Sequence, residues 1–277
     1  MLPNFLIIGA ARSGTTSLYH NLRAHPDIYM PVKKEPQFFT ANWHRGLEWY
    51  ERLFEDWQGE KAVGEASMTY TYPDFADVPR RIVQYLPEVR FIYMLRNPVE
   101  RTYSHYLYYR YYRGDEKLSF KDAIEQKPIY LGTSQYYTWL QRYLQYFPRQ
   151  CFHIVIFEEY VTKPEHVIEN VFHFLGVDPS FRPATLRTRT NQAFSPRNER
   201  FYQLWRRFSL STTRLWLEKY IPESWRPRLR NVIHRSLGTG NIPPMSQEAK
   251  VQLKAFFEPQ IVALEEILER DLNLWRT

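Results

Sequence analysis

Residues 5–20 read Phe-Leu-Ile-Ile-Gly-Ala-Ala-Arg-Ser-Gly-Thr-Thr-Ser-Leu-Tyr-His. The apolar run Phe5–Ile8 suits a strand buried on both faces, and Leu18 and Leu22 recur at helical spacing after a turn of small residues. This is strand, loop, helix. Gly9 and Gly14 bracket the loop, so the backbone N–H groups around Arg12, Ser13, Gly14, Thr15, Thr16 and Ser17 can converge on an anion at the positive end of the helix. A nucleoside-triphosphatase loop would carry Lys directly after its second Gly. Here Thr15 takes that place and the cation, Arg12, sits inside the loop, which disfavours ATP hydrolysis while keeping a phosphate-binding turn. A glycine turn with no ligand is the plain alternative.

Outward from this stretch the chain alternates strands and helices. Phe91–Leu95 is a second buried strand, and it ends on Arg96-Asn97-Pro98. In doubly wound sheets ligands bind at the carboxyl ends of strands, so Arg96 is expected at the edge that carries the Gly9–Thr16 loop. Ser104 follows about two helical turns later. A guanidinium and a hydroxyl so spaced suit a second phosphate. Phe152–Phe157 reads as a third strand, and Pro164–Leu175 as a helix stopped by Gly176. The pattern predicts an α/β fold, a central parallel sheet flanked by helices.

Further helices are expected over Leu47–Trp57, Asp77–Tyr85, Val99–Tyr112 and 134–147, and in a C-terminal segment capped by Ser246. In the Val99–Tyr112 helix, Tyr103, Tyr106, Leu107 and Arg110 form a stripe that reads as core. His105 lies on another face from Ser104 and receives no role. Lys33, Lys34 and Pro36 flank Glu35, which makes it a candidate general base, with a surface ion pair as the plain alternative. Lys33 and Lys34 would orient an acidic acceptor. Ala62–Ser67 reads as a short strand whose Glu65 and Ser67 are expected to face the cleft.

The 277 residues hold 44% apolar and 17% aromatic side chains, ample for a core, and no Gly/Ser- or Pro-rich linker divides them. One domain, residues 1–277, is expected. The strand beginning at Phe5 leaves no room for a leader and no apolar run approaches a membrane span, so a soluble, cytoplasmic chain is expected. Cys151, the single cysteine, excludes an internal disulfide and a Cys cluster for zinc, and reads as a buried strand residue. Between Arg197 and Arg235 ten Lys/Arg stand against three Asp/Glu, which accounts for the whole formal charge of +7. With its aromatic residues this stretch reads as a lid-like insertion over 197–245. A contact with an anionic membrane or with nucleic acid is the competing reading.

Four segments together carry a family resemblance: Ala11-Arg12-Ser13-Gly14-Thr15-Thr16, Lys34-Glu35-Pro36-Gln37-Phe38-Phe39, Arg96-Asn97-Pro98-Val99-Glu100-Arg101 with Ser104, and Arg270-Asp271-Leu272-Asn273-Leu274-Trp275. In that order the chain resembles the sulfotransferases that use 3′-phosphoadenosine 5′-phosphosulfate (PAPS), nearest the bacterial and Golgi carbohydrate type that includes the heparan sulfate N- and O-sulfotransferases. The resemblance implies that the Arg12–Ser17 loop cradles the 5′-phosphosulfate and that Arg96 and Ser104 take the 3′-phosphate. It also implies that Glu35 is the base, that Tyr136 holds an aromatic position near the nucleotide, and that Gly240 and Asn241 belong to a nucleotide loop, with Arg197 as a substitute cation. No metal and no nucleic-acid partner is implied; the acceptor would be a carbohydrate, a glycolipid or a small alcohol.

Three departures stand out. Arg12 replaces the usual Lys, Ala66 replaces a Lys of the heparan sulfate enzymes, and Thr239–Pro244 lacks the basic residues of those relatives. A small-molecule kinase and a basic membrane or nucleic-acid module remain the rival readings.

Overall fold

The structure, a computed structural model, describes residues 1–187 and 243–276. Gly240, Asn241, Arg197 and the whole basic stretch 197–235 lie outside the described residues. Five strands, β1 (Phe5–Gly9), β2 (Ile28–Tyr29), β3 (Ala62–Ala66), β4 (Arg90–Leu95) and β5 (Phe152–Ile156), form a sheet in the order β2-β3-β1-β4-β5. Every pairing is parallel. The central strand is β1, whose Phe5 sits in register with Gly64 on one side and Arg90 on the other.

Helices α1 (Thr15–Arg23), α2 (Leu47–Glu51), α3 (Val78–Tyr85), α4 (Pro98–Leu107), α5 (Phe120–Gln126), α6 (Pro128–Gly132), α7 (Tyr136–Leu144), α8 (Phe157–Thr162) and α9 (Pro164–Leu175) follow in chain order, with a last helix at Gln247–Leu268. All of β1 is buried, and its alternation serves two cores. Leu6 and Ile8 pack with Phe91, Tyr143 and Phe257, whereas Phe5 and Ile7 pack with Leu18, Leu22 and Phe172. Covered on both faces, the central strand offers a ligand the loop at its carboxyl end.

Several expected boundaries shift. Helix α2 ends at Glu51 and passes into a 3-10 turn, Arg52–Phe54, so Trp57 lies beyond it and 38% exposed. Cys151 is a half-buried residue of the 3-10 turn before β5 and not a buried strand residue. Phe157 opens α8 and does not close β5. The helix expected to Tyr112 is α-helical only to Leu107 and continues as a π-helical turn, Tyr108–Arg113. Helix α7 starts at Tyr136 and stops at Leu144, inside the expected 134–147.

The closing Arg270–Trp275 segment has a structural task. Asn97 caps α4 by accepting from the N–H groups of Val99 (3.0 Å) and Glu100 (3.3 Å), and its amide donates to the Trp275 carbonyl at 3.0 Å. Glu158 accepts from the Asn97 N–H at 2.8 Å and from the Trp275 indole at 3.1 Å. Arg270 pairs with Glu159. The C-terminus thereby locks the turn after β4 and sets where Arg96 emerges.

Candidate active site

Gly14, at φ 87°, opens α1 in the left-handed conformation, and a Cβ there would meet the Phe157 ring at 2.9 Å. Only glycine lets the loop lie this close to α8. The start of α1 has no side-chain cap and no acidic residue in its first turn, so its N–H groups remain available to an anion. The Ser13 hydroxyl is buried with no hydrogen-bond partner among the described residues.

Two cations meet at this loop. Arg12, itself at φ 70°, donates through Nε to Ser104 Oγ at 3.4 Å and lies over the Tyr108 ring, 4.9 Å from its centre. Arg96 donates to the Arg12 carbonyl at 3.3 Å and lies over Phe157 at 5.1 Å. Burial pulls the Arg12 guanidinium below its usual pKa; Tyr108 opposes this and Arg96 adds to it. Two like charges in partial burial leave the site short of an anion. They open onto a cavity of about 1110 Å³, lined by Arg12, Gly14–Ser17, Arg96 and Ser104 among others.

A third cation lies under the loop. Arg101 is fully buried, and its hydrogen bonds run to the Ser134 hydroxyl (2.5 Å), the Tyr130 carbonyl (2.5 Å), the Ala11 carbonyl (3.4 Å) and His105 Nδ1 (3.0 Å). None of these partners is a carboxylate, so the charge is solvated by dipoles and projects a positive field toward the loop. Burial, Arg101 and Arg12 hold His105 well below the ordinary histidine range, so it stays neutral.

Glu35 stands to one side of the cavity, not in its lining. Lys34 bridges the two: its Nζ lies 2.8 Å from Thr16 Oγ1, on α1, and 3.1 Å from Glu35 Oε1. Lys33 is exposed and reaches over the Trp49 ring, 6.0 Å from its centre. Tyr136 is buried and also absent from the lining; its hydroxyl donates to the Arg96 carbonyl at 2.8 Å, so it supports that residue from behind.

The expectation that Glu65 and Ser67 face the cleft needs correction. Both are buried, at 1% and 0%, and their polar atoms are engaged with one another and with neighbouring tyrosines. The reason is the loop Lys33–Phe39, which folds over the end of β3.

Other lining residues went unread. Tyr160 accepts from Asn21 at 2.6 Å and lies 3.2 Å from Ser17 Oγ. Phe157, Lys250 and Gln247 come from distant parts of the chain. Tyr103 and Leu107, assigned to a core stripe, both line the cavity, Tyr103 donating to the Pro243 carbonyl at 2.6 Å, while Tyr106 is buried as expected. Among the described residues no group of His, Cys, Asp and Glu could hold a metal ion, and no helix is long and apolar enough to cross a membrane.

Residues 2–239 match the sulfotransferase domain family, and the chain belongs to it. It is 32% identical over 197 residues to the human bifunctional heparan sulfate N-deacetylase/N-sulfotransferase 2, a match covering 64% of this chain and 22% of that protein. The mouse heparan sulfate glucosamine 3-O-sulfotransferase 5 is 28% identical over 210 residues, 70% of this chain and 59% of its own. The chain thus spans about a fifth of the length of the first relative and just over half of the second. A crystal structure of a sulfotransferase from Alicyclobacillus acidocaldarius superposes with a TM-score of 0.72 at 29% identity, covering 100% of both chains.

Proposed function

We propose that this chain transfers the sulfuryl group of PAPS to a hydroxyl or amine of a saccharide or glycolipid acceptor, with Glu35 as the general base. The observation that carries this reading is the meeting of Arg12, Arg96 and Ser104 at the start of α1, beside a buried Ser13 hydroxyl without a partner among the described residues. A nucleotide phosphorylated at two places fits such a donor set. PAPS would be held at its 5′ end by Arg12 and the Ser13–Ser17 segment and at its 3′-phosphate by Arg96 and Ser104, and it supplies the activated sulfuryl group.

The remaining work belongs to the protein's own side chains. Arg12 and the N–H groups of α1 face developing negative charge with donors already in position. Lys34 tethers Glu35 to Thr16 and so keeps a carboxylate next to the loop. Glu35 takes the acceptor's proton on its carboxylate oxygen. The heparan sulfate relatives support a saccharide acceptor, and exposed Lys33 beside Trp49 suits one carrying negative charge. Labelled sulfate transfer from PAPS onto mixed acceptors, with products identified by mass, tests the reading; no sulfated product from PAPS, with phosphorylated product from ATP in its place, would overturn it.

A further inference from the structure

Beneath the loop that carries Glu35 lies a buried carboxylate to which the proposed reaction assigns no task. Glu65 accepts hydrogen bonds at Oε1 from Tyr50 (3.3 Å) and Tyr70 (2.5 Å) and at Oε2 from Ser67 (2.9 Å). Two of these hydroxyls also hold the loop. The Gln37 N–H donates to Ser67 Oγ at 2.9 Å and the Phe39 N–H to Tyr70 at 3.5 Å, while the Glu35 N–H donates to the Ala66 carbonyl at 3.1 Å. Glu35 and Gln37 have φ of 61° and 52°. Residues with a Cβ hold that left-handed conformation when their surroundings impose it.

Proton counting links the two layers. A hydroxyl has one proton to give and lone pairs to receive, whereas an ionised carboxylate only receives. With Glu65 ionised, Ser67 and Tyr70 turn their protons toward it and leave their lone pairs for the Gln37 and Phe39 N–H groups. A neutral carboxyl carries one proton, and the hydroxyl that accepts it must turn its own proton away from Glu65, so the fixed donor order at Ser67 and Tyr70 is lost. We propose that Glu65 is a positioning residue: as a carboxylate it orients Ser67 and Tyr70 so that they pin the turn presenting Glu35. This rests on Glu35 being the base.

The group is poised to switch. Burial raises Glu65 to about 7 against the pull of its three hydrogen bonds, and Glu35 pushes the same way. The titratable groups facing it are Tyr50 from α2, Tyr70 from the turn after β3, Tyr143 from α7 and Glu35 from the loop. The pinned form is therefore gained as pH rises through the neutral range.

The test is the pH profile of sulfate transfer from PAPS for wild type, Glu65→Gln, Tyr50→Phe and Glu35→Gln. Wild type should show a limb near pH 7. Glu65→Gln, permanently neutral, should lose that limb and about tenfold or more in kcat, as a base displaced by a fraction of an ångström would, with affinity for adenosine 3′,5′-bisphosphate unchanged. Tyr50→Phe keeps the ring stacked on Phe38 but removes one donor to the carboxylate, so its limb should move to higher pH with the plateau rate retained. Wild-type kcat in Glu65→Gln, or an unmoved limb in folded Tyr50→Phe, overturns the inference. Glu35→Gln separates the two readings: if it is inactive while Glu65→Gln is normal, only the role of Glu65 falls, whereas normal turnover in Glu35→Gln removes the base itself.

Discussion

The two sides of the site are built from opposite materials. The proposed phosphate side, Arg12–Ser17 with Arg96 and Ser104, is made of cations and backbone N–H groups set at the ends of β1 and β4, strands buried along nearly their whole length. The proposed acceptor side is the loop Lys33–Phe39, without regular structure, lying over the end of β3 and the turn after it and held by hydroxyls that bridge its N–H groups to a buried carboxylate. Strand ends place donors through the rigidity of the sheet; a loop has to be placed side chain by side chain. Loss of one contact should therefore weaken binding on the first side and spoil chemistry on the second.

The sharpest way to break this contrast is on the acceptor side. Glu35→Gln keeps shape but cannot take a proton, so single-turnover transfer should fall by on the order of 10²–10⁴, with calorimetric affinity for adenosine 3′,5′-bisphosphate intact. His105→Ala, measured alongside, should lose far less, because His105 is buried and engaged with Arg101; collapse there with normal chemistry in Glu35→Gln would move the base to His105.

On the phosphate side the expected effect is in affinity. Arg96→Ala should remove about 1.5–3 kcal/mol of the preference for adenosine 3′,5′-bisphosphate over AMP, the usual worth of a charge-assisted contact. Equal affinities for the two nucleotides in the wild type would reject the assignment. The smallest effect falls on the latch behind Arg96. Asn97→Ala loses the α4 cap and the bond to Trp275, at a cost of about 0.5–2 kcal/mol. Thermal unfolding should report that loss, and nucleotide affinity should drop with it if the latch positions Arg96.

Why the elements of the proposed phosphate side were legible is a matter of distance along the chain. The Phe5–Ile8 run, the Gly9 and Gly14 spacing and the Arg96-Asn97-Pro98 turn are local patterns, and each local pattern dictates strand, turn or helix whatever surrounds it. Arg12, Arg96 and Ser104 come together because parallel strands put their carboxyl ends on one edge. The resemblance to sulfotransferases rests on the loop and Arg96 segments together with Lys34–Phe39 and Arg270–Trp275.

The acceptor side was misread where residues depend on cover from elsewhere. From its own strand Glu65 reads as a cleft residue, and only the loop from Lys33 to Phe39, folded over it and tied to Ser67 and Tyr70, turns it into a buried support. In the same way Phe157, Tyr160 and Lys250 line the cavity because α8 and the last helix pack beside the phosphate loop, at separations that no local periodicity encodes. The amino-acid sequence by itself determined the strand–loop–helix, the alternation that makes a parallel sheet and the cations at its edge, since these follow from local patterning and backbone chemistry. Burial, and with it the proton state of Glu65 and the walls of the cavity, was decided by the tertiary structure, because a side chain's access to water depends on which distant segment comes to lie over it.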